Sequence, residues 1–305
     1  MFIEQGIDRN NKFWKYILGS MFIIGASFVG QLPMLTLLLF QTSFRGKTYP
    51  TTDEELLHFF EPNLNLFLLL ISFVFTLGGI CFVVRFLHKQ TLLSIVTGRK
   101  KMDWKRVFFS FFVWSLFTII STLLMCYLNP SDFKINFQLI PFLILVVIAT
   151  LLVPIQTSVE ELIFRGYLMQ GFANLSRNKW FPLLTTSSIF GLMHFFNPEV
   201  AKMGNILMIY YIGTGLLLGI MTLMDDGMEL ALGFHAANNL IGALLVTSDW
   251  SAFQTYSIFK DISEPKAGLD IIFPVVVIYP LLLLIFGLKY NWSGWKEKLT
   301  GRIVK

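Results

Sequence analysis

Several uninterrupted apolar stretches of about 20 residues run through this chain, and nothing else in it limits the possible folds as sharply. Stretches of that length match helices crossing a hydrocarbon layer roughly 30 Å thick. In lipid the backbone must satisfy its own polar groups, which leaves helices and closed barrels. The alternating segments of about ten residues that build a membrane barrel are missing, so helices remain. Composition agrees: 55% of the 305 residues are hydrophobic, 32 of them Phe, and 14% are charged, against about 25% charged in soluble domains. The expectation is an all-α, polytopic integral membrane protein forming a single domain over residues 1–305.

Eight apolar segments can be marked: Trp14–Phe40, Leu64–Leu87, Val107–Leu128, Phe137–Val153, Trp180–Phe196, Asn205–Leu223, Glu229–Val246 and Leu269–Lys289. With the N-terminus inside, 18 of the 24 Lys and Arg fall on the inner side, Arg9 and Lys305 among them. That excess predicts both termini in the cytoplasm. It also accounts for the formal net charge of +5 without nucleic acid as a partner. The N-terminal apolar run is too long for a signal peptide and reads as a retained span. Cys81 and Cys126 both lie inside apolar segments, so neither a disulfide nor a Cys-based metal site is expected. Thr91–Arg106 mixes apolar residues with five basic ones, as a helix lying on anionic lipid would; a solvated loop is the plainer reading. Gln41–Asn63, with Asp53, Glu54, Glu55 and Glu61, reads as an outer connection with little chemistry. There is no internal repeat or low-complexity tract.

Ionisable side chains near hydrocarbon cost about 2.5 to 3.5 kcal/mol on insertion scales, so each is a functional candidate. Few occur: Glu160, Glu161 and Arg165 in Ser158-Val-Glu-Glu-Leu-Ile-Phe-Arg-Gly166, His194 in Phe190-Gly-Leu-Met-His-Phe-Phe-Asn-Pro198, and His235 with Asn239 in Gly233-Phe-His-Ala-Ala-Asn-Asn239. Glu161 and Arg165 share a helix face in the order that favours an ion pair, and Glu160 is turned about 100° from Glu161. Pro154 predicts a kink or break before them. Glu160 and His194 are equally distant from a turn near residue 177, so in a helical hairpin both stand roughly 25 Å from it. His235 and Asn239 share one face of the seventh segment. Glu160, His194, His235 and Asn239 can therefore line a cavity open toward the cytoplasm. Each piece also has a plainer reading: the Glu161–Arg165 pair as a structural ion pair, His194 as a packing device, and His235 and Asn239 as interhelical hydrogen bonds worth about 0.6 kcal/mol each.

A carboxylate in an apolar wall holds its proton more tightly than in water and can act as a general base near neutral pH. With His194 orienting a water, and His235 and Asn239 donating to the oxygen that gains charge, the set supplies what amide hydrolysis needs. Gly-x-Ser-x-Gly does not occur, which argues against a serine nucleophile elbow. A catalytic zinc held by Glu160, His194 and His235 is the competing mechanism, although His-Glu-x-x-His is absent.

Three motifs in this order, Glu-Glu-Leu-Ile-Phe-Arg-Gly at 160–166, Phe-Gly-Leu-Met-His at 190–194 and His-Ala-Ala-Asn-Asn at 235–239, resemble those of the CAAX protease and bacteriocin-processing (Abi) family. The resemblance covers the motif-bearing core, residues 154–246. It implies an intramembrane endopeptidase in which Glu160 and His194 activate water, His235 and Asn239 form the oxyanion site, and Glu161 and Arg165 support them, with no cofactor. It implies a hydrophobic or lipidated, CAAX-like peptide as substrate, and a multi-pass place in a bacterial cytoplasmic membrane. Two rival readings stand beside it: a noncatalytic immunity or scaffold protein of the same fold, and a proton-coupled carrier using Glu160, His194 and His235 as a relay.

Overall fold

The computed structural model describes residues 1–7, 11–266 and 268–303, except for the side chains of Asp53, Glu54 and Asp270. Arg9 and Lys305, counted above for sidedness, lie outside the described residues, as do the side chains of Asp53 and Glu54 in the outer connection. α1 (Phe13–Arg45) leads through the short α2 (Asp53–Leu57) into α3 (Pro62–Phe82), which ends in a π-helical turn, Val83–Leu87. α4 (Leu92–Val96) precedes α5 (Trp104–Leu128). α6 (Leu139–Glu161) continues through a second π-helical segment, Leu162–Leu168, into α7 (Met169–Ser176). Then come α8 (Trp180–Met193), α9 (Pro198–Met203), α10 (Leu207–Asp225) and α11 (Glu229–Leu245). α12 (Leu269–Phe273), a third π-helical segment over Pro274–Ile278, α13 (Tyr279–Lys289) and α14 (Trp295–Thr300) close the described chain.

Among the described residues six helices are long and apolar enough to cross a membrane: Phe13–Arg45, Pro62–Leu87, Trp104–Leu128, Leu139–Ser176, Leu207–Asp225 and Ile271–Lys289. All eight predicted segments contain helix, but the fifth and seventh are shorter than a span. α8 has 14 residues and rises about 21 Å; α11 has 17, about 26 Å. The fifth segment stops at His194 because Asn197, preceding Pro198, is held extended at ψ 144°, as the residue before proline prefers.

Of the kink or break expected at Pro154, a break does not occur. α6 runs through that proline to Glu161, and the helix instead widens into its π-helical segment beyond the glutamates. The fourth predicted segment is thus part of one 38-residue helix, Leu139–Ser176, about 57 Å long. That is longer than a hydrocarbon layer roughly 30 Å thick, and its last turns pack against the N-terminal segment, where Phe2 and Ile3 are buried.

The all-α expectation needs one correction: a three-stranded sheet in the order β1-β3-β2, with β1 Phe133–Ile135, β2 Val246–Ser248 and β3 Phe259–Asp261. β3 pairs antiparallel with β1 and parallel with β2, with Lys260 facing Lys134 and Thr247. These strands join helix ends on one side of the bundle. On the other side both chain ends meet the interhelical turns: the Phe2 amide donates to Asp226 Oδ1 at 2.6 Å, and the Ile303 amide to the Arg177 carbonyl at 2.9 Å.

Thr91–Arg106, expected to lie on lipid, belongs largely to this clasp. Ile95 is buried, and Arg99 reaches Asp225 and Glu229 at 3.0 Å each. Arg106 pairs with Asp225 at 3.2 Å. Two of the five basic residues, Arg99 and Arg106, are held there by buried carboxylates, which ties the α10–α11 turn to the connection before α5, while Lys100, Lys101 and Lys105 are exposed.

α11 is the central helix. It packs on α5, α6 and α10 and buries Leu230, Ala231, Phe234, His235 and Ala237. Gly233 makes its contact with α5 possible, because a Cβ there would stand 2.1 Å from the Val107 carbonyl oxygen. Gly233→Ala is therefore expected to cost about 1 to 3 kcal/mol by forcing two backbones apart, read as a lowered midpoint of thermal unfolding in detergent; Gly242→Ala, where the added methyl meets open space, is the control that should hold.

His88, just past α3, is buried between Asn11 Oδ1 at 3.1 Å and the Tyr167 hydroxyl at 2.9 Å. Burial, with the Lys15 charge adding to it, pushes its pKa down to about 4 from 6.5. The folded chain keeps this ring neutral while the unfolded chain protonates it, so stability is complete above pH 6.5 and falls as pH drops toward 4. Unfolding midpoints measured across that window should decline for the native chain and decline less for His88→Gln; equal slopes would show that other groups govern the acid response.

Candidate active site

Successive residues at the end of α6 point in different directions, and that separates the two glutamates. Glu161 is fully buried, and its Oε1 accepts from Arg165 Nη1 at 3.0 Å and from His235 Nδ1 at 2.7 Å. Glu160 keeps 17% of its side chain exposed, with Oε2 3.6 Å from His235 Nε2. Its Oε1 accepts a short hydrogen bond from Gln156 Nε2, one turn earlier on α6. His235 thus lies between a buried carboxylate and an accessible one.

Arg165 sits in the π-helical segment with no exposed surface. Besides Glu161 it donates from Nη2 to the Gly215 carbonyl on α10 at 3.2 Å, and its guanidinium lies 4.3 Å from the centroid of the Phe190 ring on α8. A cation away from water needs this many partners, since one left unpaired would cost several kcal/mol. Gly215 brings that carbonyl close to α8, where a Cβ would lie 2.8 Å from the Ser187 carbonyl oxygen.

His194 reaches the site differently. It caps α8, and its Nδ1 lies 2.8 Å from the Phe190 carbonyl. A carbonyl only accepts, so Nδ1 donates, and in the neutral ring this leaves the lone pair on Nε2. The ring stacks on Tyr211 of α10 at 4.3 Å. Among the described residues no hydrogen bond or ion pair joins His194 to Glu160, His235 or Asn239; Phe190 stands beside both histidines, 4.9 Å from the His194 ring and 5.9 Å from that of His235. Asn239, one turn after His235, donates from Nδ2 to Gln156 Oε1 at 3.2 Å.

Of the six residues singled out from sequence, Glu161, Arg165 and His235 share one hydrogen-bonded set and Glu160 and Asn239 another through Gln156; the two meet where Glu160 Oε2 lies 3.6 Å from His235 Nε2, and His194 adjoins them through an aromatic contact. The zinc alternative finds no ready-made ligand cluster. Among the described residues no three His, Cys, Asp or Glu converge as a metal site requires.

Sequence reasoning missed Gln156, Phe190 and Tyr211. Gln156 carried a usable signal, since it precedes Glu160 by four residues and so shares its helix face. Phe190 opens the quoted motif 190–194, but its contacts with both histidine rings could not be read there; Tyr211 carried no signal, because aromatic residues in an apolar helix look alike until their neighbours are known.

Residues 135–241 match the family model described as type II CAAX prenyl endopeptidase Rce1-like. The uncharacterized protein YyaK of Bacillus subtilis is 32% identical over 248 residues, which is 81% of this chain and 82% of that protein. The chain belongs to the Rce1-like family of type II CAAX prenyl endopeptidases. No solved structure matches it. The segment matched to the Rce1-like model contains all six residues above and Gln156, Phe190 and Tyr211, and it overlaps most of the expected core, 154–246. Six apolar helices and this family together make the chain an integral membrane protein.

The two glutamates should separate in a stability measurement. Glu161→Ala strips the counter-charge from a fully buried guanidinium and is expected to cost about 3 to 5 kcal/mol, whereas Glu160→Ala, at an accessible carboxylate, should leave the unfolding midpoint within a few degrees of the native one. Comparable losses in both variants would contradict the division of roles drawn from burial.

Proposed function

We propose that the chain is an intramembrane endopeptidase that hydrolyses a peptide bond of a membrane-embedded or lipidated substrate, with Glu160 as general base. The observation that carries this reading is the asymmetry of the paired glutamates: Glu161 is sealed against Arg165 and His235, and Glu160 stays accessible beside His235 Nε2. Membership of the Rce1-like family supports it.

In the proposed reaction Glu160 takes a proton from water as the water oxygen bonds to the scissile carbonyl carbon. The lone pair on His194 Nε2 orients that water. The carbonyl oxygen, now negative, accepts from the Asn239 side-chain N–H and from His235 in its doubly protonated form. The carbon–nitrogen bond then breaks as the proton passes from Glu160 to the leaving amine. Glu161 and Arg165 hold His235 in place, and no metal or cofactor takes part. The proposed orientation puts both termini and the clasped face in the cytoplasm, in a bacterial cytoplasmic membrane, following the excess of Lys and Arg on that face.

The test is cleavage of hydrophobic and lipidated peptides by the purified full chain in liposomes. Glu160→Gln and His194→Ala should each lower the rate at least a hundredfold, the usual scale for losing a positioned acid–base group, and a strong zinc chelator should leave the native rate unchanged. Undiminished cleavage in both variants would sink the proposed site; a rate lost on chelation and restored by zinc would replace the mechanism with a metal-dependent one.

A further inference from the structure

A row of hydrogen bonds reaches Glu160 from a helix outside the matched segment. Trp114 Nε1 on α5 donates to Asn238 Oδ1 at 3.1 Å, Asn238 Nδ2 donates to Asn239 Oδ1 at 3.1 Å, and Asn239 Nδ2 donates to Gln156 Oε1 at 3.2 Å. Gln156 Nε2 then donates to Glu160 Oε1. The row crosses from α5 to α11 to α6 and runs one way, donor to acceptor, at every step.

Its ends explain the direction. An indole N–H only donates and an ionised carboxylate only accepts, whereas each amide between them can turn over and exchange its oxygen and nitrogen. With Trp114 at one end, Asn238 must present oxygen to it and nitrogen to Asn239, and the same choice passes down the row. We infer that Trp114, through Asn238, is a positioning residue that fixes which way the Asn239 amide faces, so that the second N–H of Asn239 stays available as a donor. Turned over, Asn239 would present oxygen where the proposed mechanism needs a donor. The catalytic part of this inference rests on that mechanism; the hydrogen-bond polarity does not.

The Trp114 ring is held independently of its N–H. It is buried and packs on Phe234 at 4.4 Å and Phe117 at 4.8 Å, so Trp114→Phe removes the donor and leaves an aromatic ring in place.

Two measurements test the inference in the full chain. The chain has seven Trp; in a sample labelled with 15N at the indoles, the Trp114 signal is the one that disappears in Trp114→Phe. It should move in Asn238→Ala, which it contacts, and also in Gln156→Leu and Glu160→Ala, which it does not touch. The Trp292 signal, bonded to Asp225, should stay and report that the fold is intact. A Trp114 signal unmoved by both the Gln156 and Glu160 variants overturns the relay, and these two variants carry the test if Asn238→Ala fails to fold.

The second measurement is peptide cleavage. Trp114→Phe should lower kcat about tenfold, the scale of one productive hydrogen bond, with KM unchanged. Asn238→Asp should lower it at least as far, because aspartate accepts from Trp114 yet has no N–H for Asn239. Full activity in both variants beside an inactive Glu160→Gln overturns the positioning role and leaves the proposed site standing. An active Glu160→Gln overturns the mechanism itself.

Discussion

A guanidinium with no exposed surface organises the centre of this molecule. Arg165 cannot remain charged away from water unless several groups surround it, and those groups come from different helices: Glu161 beside it, the Gly215 carbonyl on α10 and the Phe190 ring on α8. Glu161 in turn engages His235 on α11. One buried charge thus sets the relative positions of four segments, and the accessible group, Glu160, is the neighbour left over when its partner is committed to structure. The π-helical segment serves the same end, because widening the helix at Leu162–Leu168 changes where Arg165 projects relative to the α-helix before it. Segments of this kind often occur at functional sites.

Around this centre the bundle is closed differently at its two ends. At one end Arg99 and Arg106 reach Asp225 and Glu229, and the N-terminal segment docks on the same turn through Asp226. At the other end a small sheet draws together the connections that follow α5, α11 and the chain before α12. Between them α11 can pack tightly because Gly233 admits the α5 backbone. The helix carrying His235 and Asn239 is therefore pinned by charge at its start, by close backbone contact near its middle and by strand pairing just past its end.

Much of the architecture and most of the site were legible in the chain itself. Long apolar runs dictate helices in lipid whatever their partners, and the cost of burying Glu160, Glu161, Arg165 and His235 marked them before any contact was known. Expectations failed where local rules met tertiary competition. Pro154 did not break its helix, and a π-helical segment lies instead around the buried arginine. The basic stretch Thr91–Arg106 has the composition of a lipid-facing helix, yet Arg99 found carboxylates that the sequence places more than a hundred residues away. The fifth segment is apolar enough to span, yet the Asn197-Pro198 pair ends it at His194.

What the sequence by itself determined is therefore the membrane, the helices and the short list of polar residues worth their cost, because hydropathy, spacing and desolvation act within one segment. Only the tertiary structure decided which glutamate is buried, that Gln156 links Asn239 to Glu160, that Phe190 separates the two histidines, and that Trp114 joins the row from outside the motifs. Those outcomes depend on hydrogen-bond direction and ring contacts between helices, and such pairings exist only once the helices have packed.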